Sequence, residues 1–306
     1  MNVVAVTGTG DQSAVARRLV ERLDGEGSVG TVTRSGSDPV AAEEAGGSHH
    51  NVGSHRHYRL GSDSWTASGN DSRSVTDALD ELAPRCEYAV IDGVENPAVP
   101  TVVVGDGEAP DGRILKQVPS KEEFDPDAIV DELAETDPYE TLESLVARAK
   151  ESPDSDRAGA IATFTGRVRA RDDEDDPATE YLEFERYDEV AEEKMAAIRE
   201  ELEQRNGVFE VILHHKTGVV EAEEDIVFVV VLAGHRPEAF ATVEDGINRL
   251  KAEVPLFKRE VTVEGTFWAH QHDHEHGDEA TDRTETGWDG EGTDSGAPEP
   301  TPDTHD

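Results

Sequence analysis

The chain has 306 residues, and its 69 Asp and Glu against 28 Lys and Arg give a net charge of −41, with 35% hydrophobic and 5% aromatic residues. So negative a chain, with no basic stripe to neutralise phosphates, is not expected to bind nucleic acid. Its longest apolar run, IVFVVVLA at 226–233, is far too short to span a bilayer and reads as a buried strand, so no membrane association is expected.

The length suits two domains of ordinary size. The acid excess extends along the whole chain, and only seven of the 28 basic residues are lysines. That balance suggests a halophilic protein, because concentrated salt screens the self-repulsion of so acidic a fold. An acidic surface built to grip basic partners is the rival reading, although acidic runs are more often solvated faces. Cys86 is the single cysteine, which provides neither a disulfide framework nor a cysteine zinc site. The opening MNVVAVTGTG has no charged segment followed by a long apolar stretch, so no signal peptide is expected and the protein is expected to be cytoplasmic.

In residues 1–118, NVVAVTG predicts a strand, SAVARRLVERLDG a helix closed by Gly25, and EYAVIDG and PTVVVGD further strands. That alternation predicts a small parallel α/β domain. A Gly-, Ser-, Asp- and His-rich stretch over 35–74 is expected to be loop. Residues 119–157 read as a charged connector and the start of the second domain, with short helical patterns in DAIVDELAE and YETLESLVARAK broken by Pro138 and Pro153.

The densest apolar patterning lies in 158–269, which predicts an α+β domain. GAIATFTGRV and EYLEFERY predict strands. EVAEEKMAAIREELEQRNG predicts an amphipathic helix, with Met195, Ile198 and Leu202 on one face and a glycine at its end. VFEVILHHKTG and EDIVFVVVLAG predict strands. PEAFATVEDGINRLKAE predicts a helix with Pro237 in its first turn and Phe240, Val243, Ile247 and Leu250 on one face; after Pro255, LFKREVTVEGTFW returns to strand. Residues 270–306, with twelve acids and one arginine, predict a disordered acidic, His-containing tail.

Several constellations can carry chemistry. His235 and Arg236 follow the most apolar strand and precede a helix, where free N–H groups and the positive dipole end gather. The pair suits an anion such as a phosphate, and a pair that only closes the loop has the same local signature. Lys251 falls in the last turn of that helix, a place the dipole favours for any cation. Lys258 sits in LFKREV beside Leu256, Phe257 and Val261. A lysine in low-dielectric surroundings near another cation can give up its proton and act as nucleophile or base, while a solvated lysine fits the same spacing. Pro237 to Lys251 spans about 21 Å of helix, so the His–Arg pair and Lys251 do not easily share a pocket within one subunit. A symmetric dimer could bring Arg236 of one subunit beside the lysines of the other. TFTGRVRARDDEDD supplies Arg167, Arg169 and Arg171, which strand alternation places on one face. Two histidine clusters, His49, His50, His55 and His57, and His270, His272, His274 and His276, have spacings that fit no closed metal site, and no metal is expected.

These segments also carry a family resemblance. GAIATFTGRVR, LEFERYDEVAEEKM, VILHHKTGVVEAEEDIVFVVVLAGHRPEAF and LKAEVPLFKRE, followed by VEGTFW, resemble in order and spacing, over about 125–269, the large catalytic subunit of molybdopterin synthase, the MoaE family. The resemblance implies an α/β hammerhead fold and a homodimer within a heterotetramer. It implies a small ubiquitin-like sulfur carrier as partner, whose C-terminal Gly-Gly thiocarboxylate enters the active site. The implied reaction is transfer of sulfur to cyclic pyranopterin monophosphate, forming the dithiolene of molybdopterin, with no cofactor. Lys251 and Lys258 would be the catalytic residues, and Arg169, His235 and Arg236 would bind the substrate. Such roles are chemically coherent, since a substrate phosphate needs fixed cations and sulfur transfer needs an acid or base near the thiocarboxylate.

Near the start, VTGTGDQSAVARRLVERL stands where a strand, phosphate loop and helix would. A functional loop needs Gly-Lys before its hydroxyl residue; aligning Ser13 with that hydroxyl puts Asp11 and Gln12 there instead. With YRLGSDSWTASGNDS and YAVIDGVENPAVPTVVVGD, residues 1–118 resemble the GTP-binding molybdopterin-guanine dinucleotide biosynthesis protein B (MobB) family. They imply a degenerate nucleotide-binding domain used for regulation or docking. A second reading makes the whole chain a platform for ubiquitin-like proteins and later cofactor-assembly enzymes, with a GTP-binding front domain. Such a platform would not need the lysine pair.

Overall fold

The computed structural model describes residues 1–34, 56–69, 71–94, 99–107, 112–171, 176–186, 188–263 and 265–269. The second histidine cluster and the tail lie outside these residues, as do His49, His50 and His55.

Chain order begins with β1 (Asn2–Gly8), α1 (Gln12–Leu23), β2 (Val29–Thr33), β3 (Arg56–Leu60), β4 (Trp65–Gly69), α2 (Val75–Leu82), β5 (Tyr88–Asp92), β6 (Thr101–Val104) and β7 (Ile114–Val118). Five of these strands form a parallel sheet in the order β2-β5-β1-β6-β7. In β1, Val3, Val4, Ala5 and Val6 are all buried, because a central parallel strand is covered on both faces and has no polar side to show. Among the described residues the hairpin β3–β4 pairs only with itself, inside the stretch expected to be loop. Its Tyr58, Leu60 and Trp65 stand exposed, and a strand with no buried face leaves little apolar alternation to read.

The connector is divided by packing. α3 (Pro126–Ala134) is opened by Asp125, whose carboxylate accepts from the Asp127 N–H, with Pro126 in its first turn. Its Ile129 and Leu133 join Val4, Leu19 and Val102 in the core beside the parallel sheet. α4 (Leu142–Lys150), opened by a capping box of Thr141 and Ser144, faces the other way, burying Leu145 and Ala149 against Ile212, Phe228 and Val230. Tyr139 lies between them. Its N–H donates to the Met1 carbonyl at 2.8 Å, and its phenol donates to Asp80 of α2 at 2.7 Å.

The chain continues as β8 (Ala160–Arg167), β9 (Thr179–Arg186), α5 (Asp188–Glu203), β10 (Val208–His215), β11 (Gly218–Glu221), β12 (Asp225–Ala233), α6 (Arg236–Glu253), β13 (Leu256–Thr262) and β14 (Gly265–Ala269). One antiparallel sheet has the order β10-β12-β8, a second the order β11-β9-β13-β14. Central β12 is buried at every position after Asp225, and alternation explains why. Val227, Val229 and Val231 face the core that holds Ile198, Leu202, Ile247 and Leu250 of α5 and α6. Phe228 and Val230 face α4 on the opposite side. The mixed α/β architecture matches the expectation from sequence.

Candidate active site

Three registers locate the candidate residues. β8 runs antiparallel to β12, with Arg167 opposite Asp225 and Ala160 opposite Ala233. α6 leaves the far end of β12 and returns along it: a Cβ built at Gly246 would stand 3.1 Å from Cγ1 of Val229, at mid-strand. Five residues further on, Lys251 reaches toward the Asp225 end of β12. On the other sheet, Lys258 of β13 pairs with Phe184 of β9. The Phe184 ring meets His215 edge-on at 4.9 Å, and His215 pairs with Val227. Lys251, Lys258 and Arg169 therefore gather toward one end of the β10-β12-β8 sheet. His235 and Arg236 stand at the opposite end, about 22 Å away along the axis of α6. Within one subunit three of the five thus lie toward the same end of the sheet, and the His–Arg pair lies toward the other.

Each local setting follows from its element. His235 is the N-cap of α6 in extended backbone, without a side-chain capping bond, and Arg236 and Pro237 begin the helix. Both His235 and Arg236 are exposed, at a helix start of the kind that favours an anion. Lys251 is exposed near the helix C-terminus, where a cation is favoured. The neighbouring carboxylates are engaged elsewhere: Arg249 pairs with Glu253 at 2.6 Å and with Glu201 at 2.8 Å. Those bonds raise the Arg249 pKa, the Glu253 bond foremost, and hold the Glu253 carboxyl below its ordinary value.

Lys258 shares the inward face of β13 with Leu256 and Glu260 by the period of two, and its cross-strand neighbour Phe184 is buried. Its side chain is only 35% exposed, and its Nζ lies 3.8 Å from Oε2 of Glu260. Glu260 in turn accepts from the Thr179 hydroxyl at 2.6 Å. Glu260, Phe184 and His215 were not picked out by sequence reading. The usable signal was the LFKRE alternation, which puts Lys258 and Glu260 on one face. β8 ends at Arg167, and beyond it Arg167, Arg169 and Arg171 are all exposed, alternating with buried Val168 and half-buried Ala170; Arg171 donates to the Asp176 carbonyl at 3.1 Å.

At the other site of interest, the turn after β1 uses Gly8 and Gly10 at φ +128° and +86°, conformations suited to glycine. Asp11 opens α1 without a side-chain capping bond and instead pairs with Lys121 Nζ at 3.2 Å. Gln12 donates to Asp92 at 3.4 Å. A cation does arrive here, from the segment after β7, but opposite a carboxylate. Among the described residues no group of three or more His, Cys, Asp or Glu could hold a metal ion, and no helix is long and apolar enough to cross a membrane.

Residues 134–253 match the family model described as "MoaE protein". The chain is 44% identical over 272 residues to a "Probable molybdopterin synthase" of Haloferax volcanii, covering 88% of this chain and 99% of that protein. It is 40% identical over 114 residues to a "Molybdopterin synthase catalytic subunit" of Pyrococcus abyssi, covering 37% of this chain and 76% of that one. Among solved structures, Bacillus subtilis MobB is similar at 14% identity and a TM-score of 0.37, covering 44% of this chain and 100% of that chain.

Proposed function

Because the chain belongs to the molybdopterin synthase (MoaE) family and acts in molybdenum cofactor biosynthesis, we propose that it is the catalytic subunit that transfers sulfur to cyclic pyranopterin monophosphate. The sulfur comes from the C-terminal thiocarboxylate of a small ubiquitin-like partner, which becomes a carboxylate once water has replaced the sulfur on its carbonyl carbon. The observation that carries this reading is the delivery of Lys251 and Lys258 to one end of the same sheet, in a chain with only seven lysines. Lys258, half-buried against Phe184 and facing Glu260, is suited to stabilising the thiocarboxylate anion or exchanging a proton with it. Arg169 lies toward the same end and suits the substrate phosphate.

His235 and Arg236 complete the site from a second copy of the chain in a homodimer. The support for that step is geometric, since a rigid helix separates the pair from the lysines within one subunit. The front domain is a degenerate nucleotide-binding unit, a reading supported by the Asp11–Lys121 pair in its first turn.

The test mixes purified protein with a Gly-Gly thiocarboxylate partner and the pyranopterin substrate and measures dithiolene formation. Lys251→Ala and Lys258→Ala should each lower the rate by about 10²–10⁴-fold, the range for loss of a general acid or base. Lys258→Ala and Arg236→Ala subunits, mixed, should regain activity that neither has alone. Full activity in both lysine variants would overturn the catalytic assignment, and an absence of regain would overturn the shared site.

A further inference from the structure

A cavity of about 1030 Å³ lies between α2 of the parallel-sheet half and α4, β12 and the β11–β12 turn of the other half, all within the unit Met1–Ala269. Ligand pockets usually measure about 300–1,000 Å³, so this one has room for a molecule of nucleotide size. Its wall carries carboxylates and cations in nearly equal number, and what separates them is whether each already has a partner.

Most of the carboxylates do. Asp80 accepts from the Tyr139 phenol, and Glu81 accepts from Arg73. Glu140, itself buried, accepts from Ser144 at 2.6 Å and from Arg148 at 2.9 Å. Asp225 pairs with Arg167 at 3.3 Å, and Glu224 accepts from the Glu221 N–H at 3.3 Å. Only Glu143 and Glu223, both exposed, have carboxylates without such a bond among the described residues. Lys150 and Lys216 also line the cavity, and neither ammonium has a hydrogen-bond or ion-pair partner among the described residues. Arg85 adds a third cation, whose guanidinium donates to a carbonyl, that of Glu81, at 2.6 Å.

The elements that carry the two lysines are held by packing. Lys150 ends α4, which is anchored through Leu145 and Ala149, and Lys216 directly follows β10, whose Ile212 is in the same cluster. The turn beside them is held in an unusual form: Glu223 has φ +70°, the left-handed region that a non-glycine residue adopts only when its surroundings impose it. Its carbonyl accepts from Arg167, and its N–H donates to Val168.

We propose that this cavity binds a phosphorylated small molecule of nucleotide size, its phosphate held by Lys150 and Lys216. The phosphate oxygens would take the donors that the wall leaves unused, since charge-assisted bonds to phosphate are among the strong ones. The cavity opens on the α4 face of β12, where Phe228 lines it, whereas Lys251 belongs to α6 on the opposite face, so the proposal does not rest on the sulfur-transfer reading.

The test uses the full chain in concentrated KCl and titrates it calorimetrically with inorganic pyrophosphate and with adenosine 5′-monophosphate. Both should bind saturably. Lys150→Gln with Lys216→Gln should weaken binding by about a hundredfold or more, about tenfold for each charge-assisted contact removed. Lys150→Arg with Lys216→Arg should retain binding within a few-fold, which separates lost charge from lost fold. Lys251→Gln should bind as the parent does. An absence of saturable binding to the parent chain, undiminished binding in the double glutamine variant, or an equal loss in Lys251→Gln would each overturn the proposal.

Discussion

Gly246 sets the depth at which α6 lies on β12, and replacing it with alanine tests that packing. In a helix interior alanine is favoured over glycine by about 1 kcal/mol. Against this, the new Cβ would stand 3.1 Å from Cγ1 of Val229, 3.6 Å from Cδ1 of Leu202 and 3.8 Å from Cδ2 of Leu213. Carbon pairs are most favourable at about 3.5–4.0 Å, so the Val229 contact alone is too close. Val229 and Leu202 are fully buried, and a β-branched side chain at the centre of a strand has little freedom to turn away. Overpacking of this kind costs about 1–3 kcal/mol, which outweighs the helical gain and gives a net loss of about 1 kcal/mol. For a chain of this size that corresponds to a fall in Tm of about 2–4 °C, read by circular dichroism in concentrated KCl. In a Val229→Ala background the close contact is gone and the same Gly246→Ala change should raise Tm. A rise in Tm in the parent chain, or the same shift in both backgrounds, would refute the reasoning.

Three further outcomes are expected. Leu133→Ala, at a fully buried position, should cost about 2–5 kcal/mol and speed hydrogen exchange in β1 and α1, since α3 packs there; unchanged exchange in β1 would refute that placement. Ser74→Ala removes the reciprocal cap of α2 and should cost about 1 kcal/mol. The Ser74 N–H and hydroxyl hold the Asp77 carboxyl below its ordinary value, so that contribution is present at neutral pH and lost as pH falls through the lowered value. An NMR titration should show the Asp77 value rising in the variant. Burial, and then the Asp80 bond, push the Tyr139 phenol above its ordinary value. The folded state therefore keeps a proton that the unfolded state gives up near pH 10. Stability from this group is present below that pH and lost above it, and Tyr139→Phe should make urea-unfolding free energy fall less steeply above pH 10.

The elements with a strong period were legible because burial writes them into the chain. α6 announced itself by Pro237 at its start, its apolar face and Pro255 beyond its end, and β12 by an unbroken apolar run. The fixed rise of a helix even showed that His235 and Arg236 could not easily reach Lys251 within one subunit. The hairpin β3–β4, exposed on its apolar face, carried no comparable signal.

What the amino-acid order determined by itself, then, was which strongly periodic segments are strands or helices, which lysines and arginines stand near their ends, and how far apart one helix holds its own termini. Only the tertiary structure decided that α3 packs with the first core and α4 with the second. It alone set Lys258 against Phe184 and Glu260, and opened a cavity between the two halves with Lys150 and Lys216 on its wall. Local periodicity reports only whether a face is buried; the partner that buries it is chosen by contacts distant in sequence, which no short window contains.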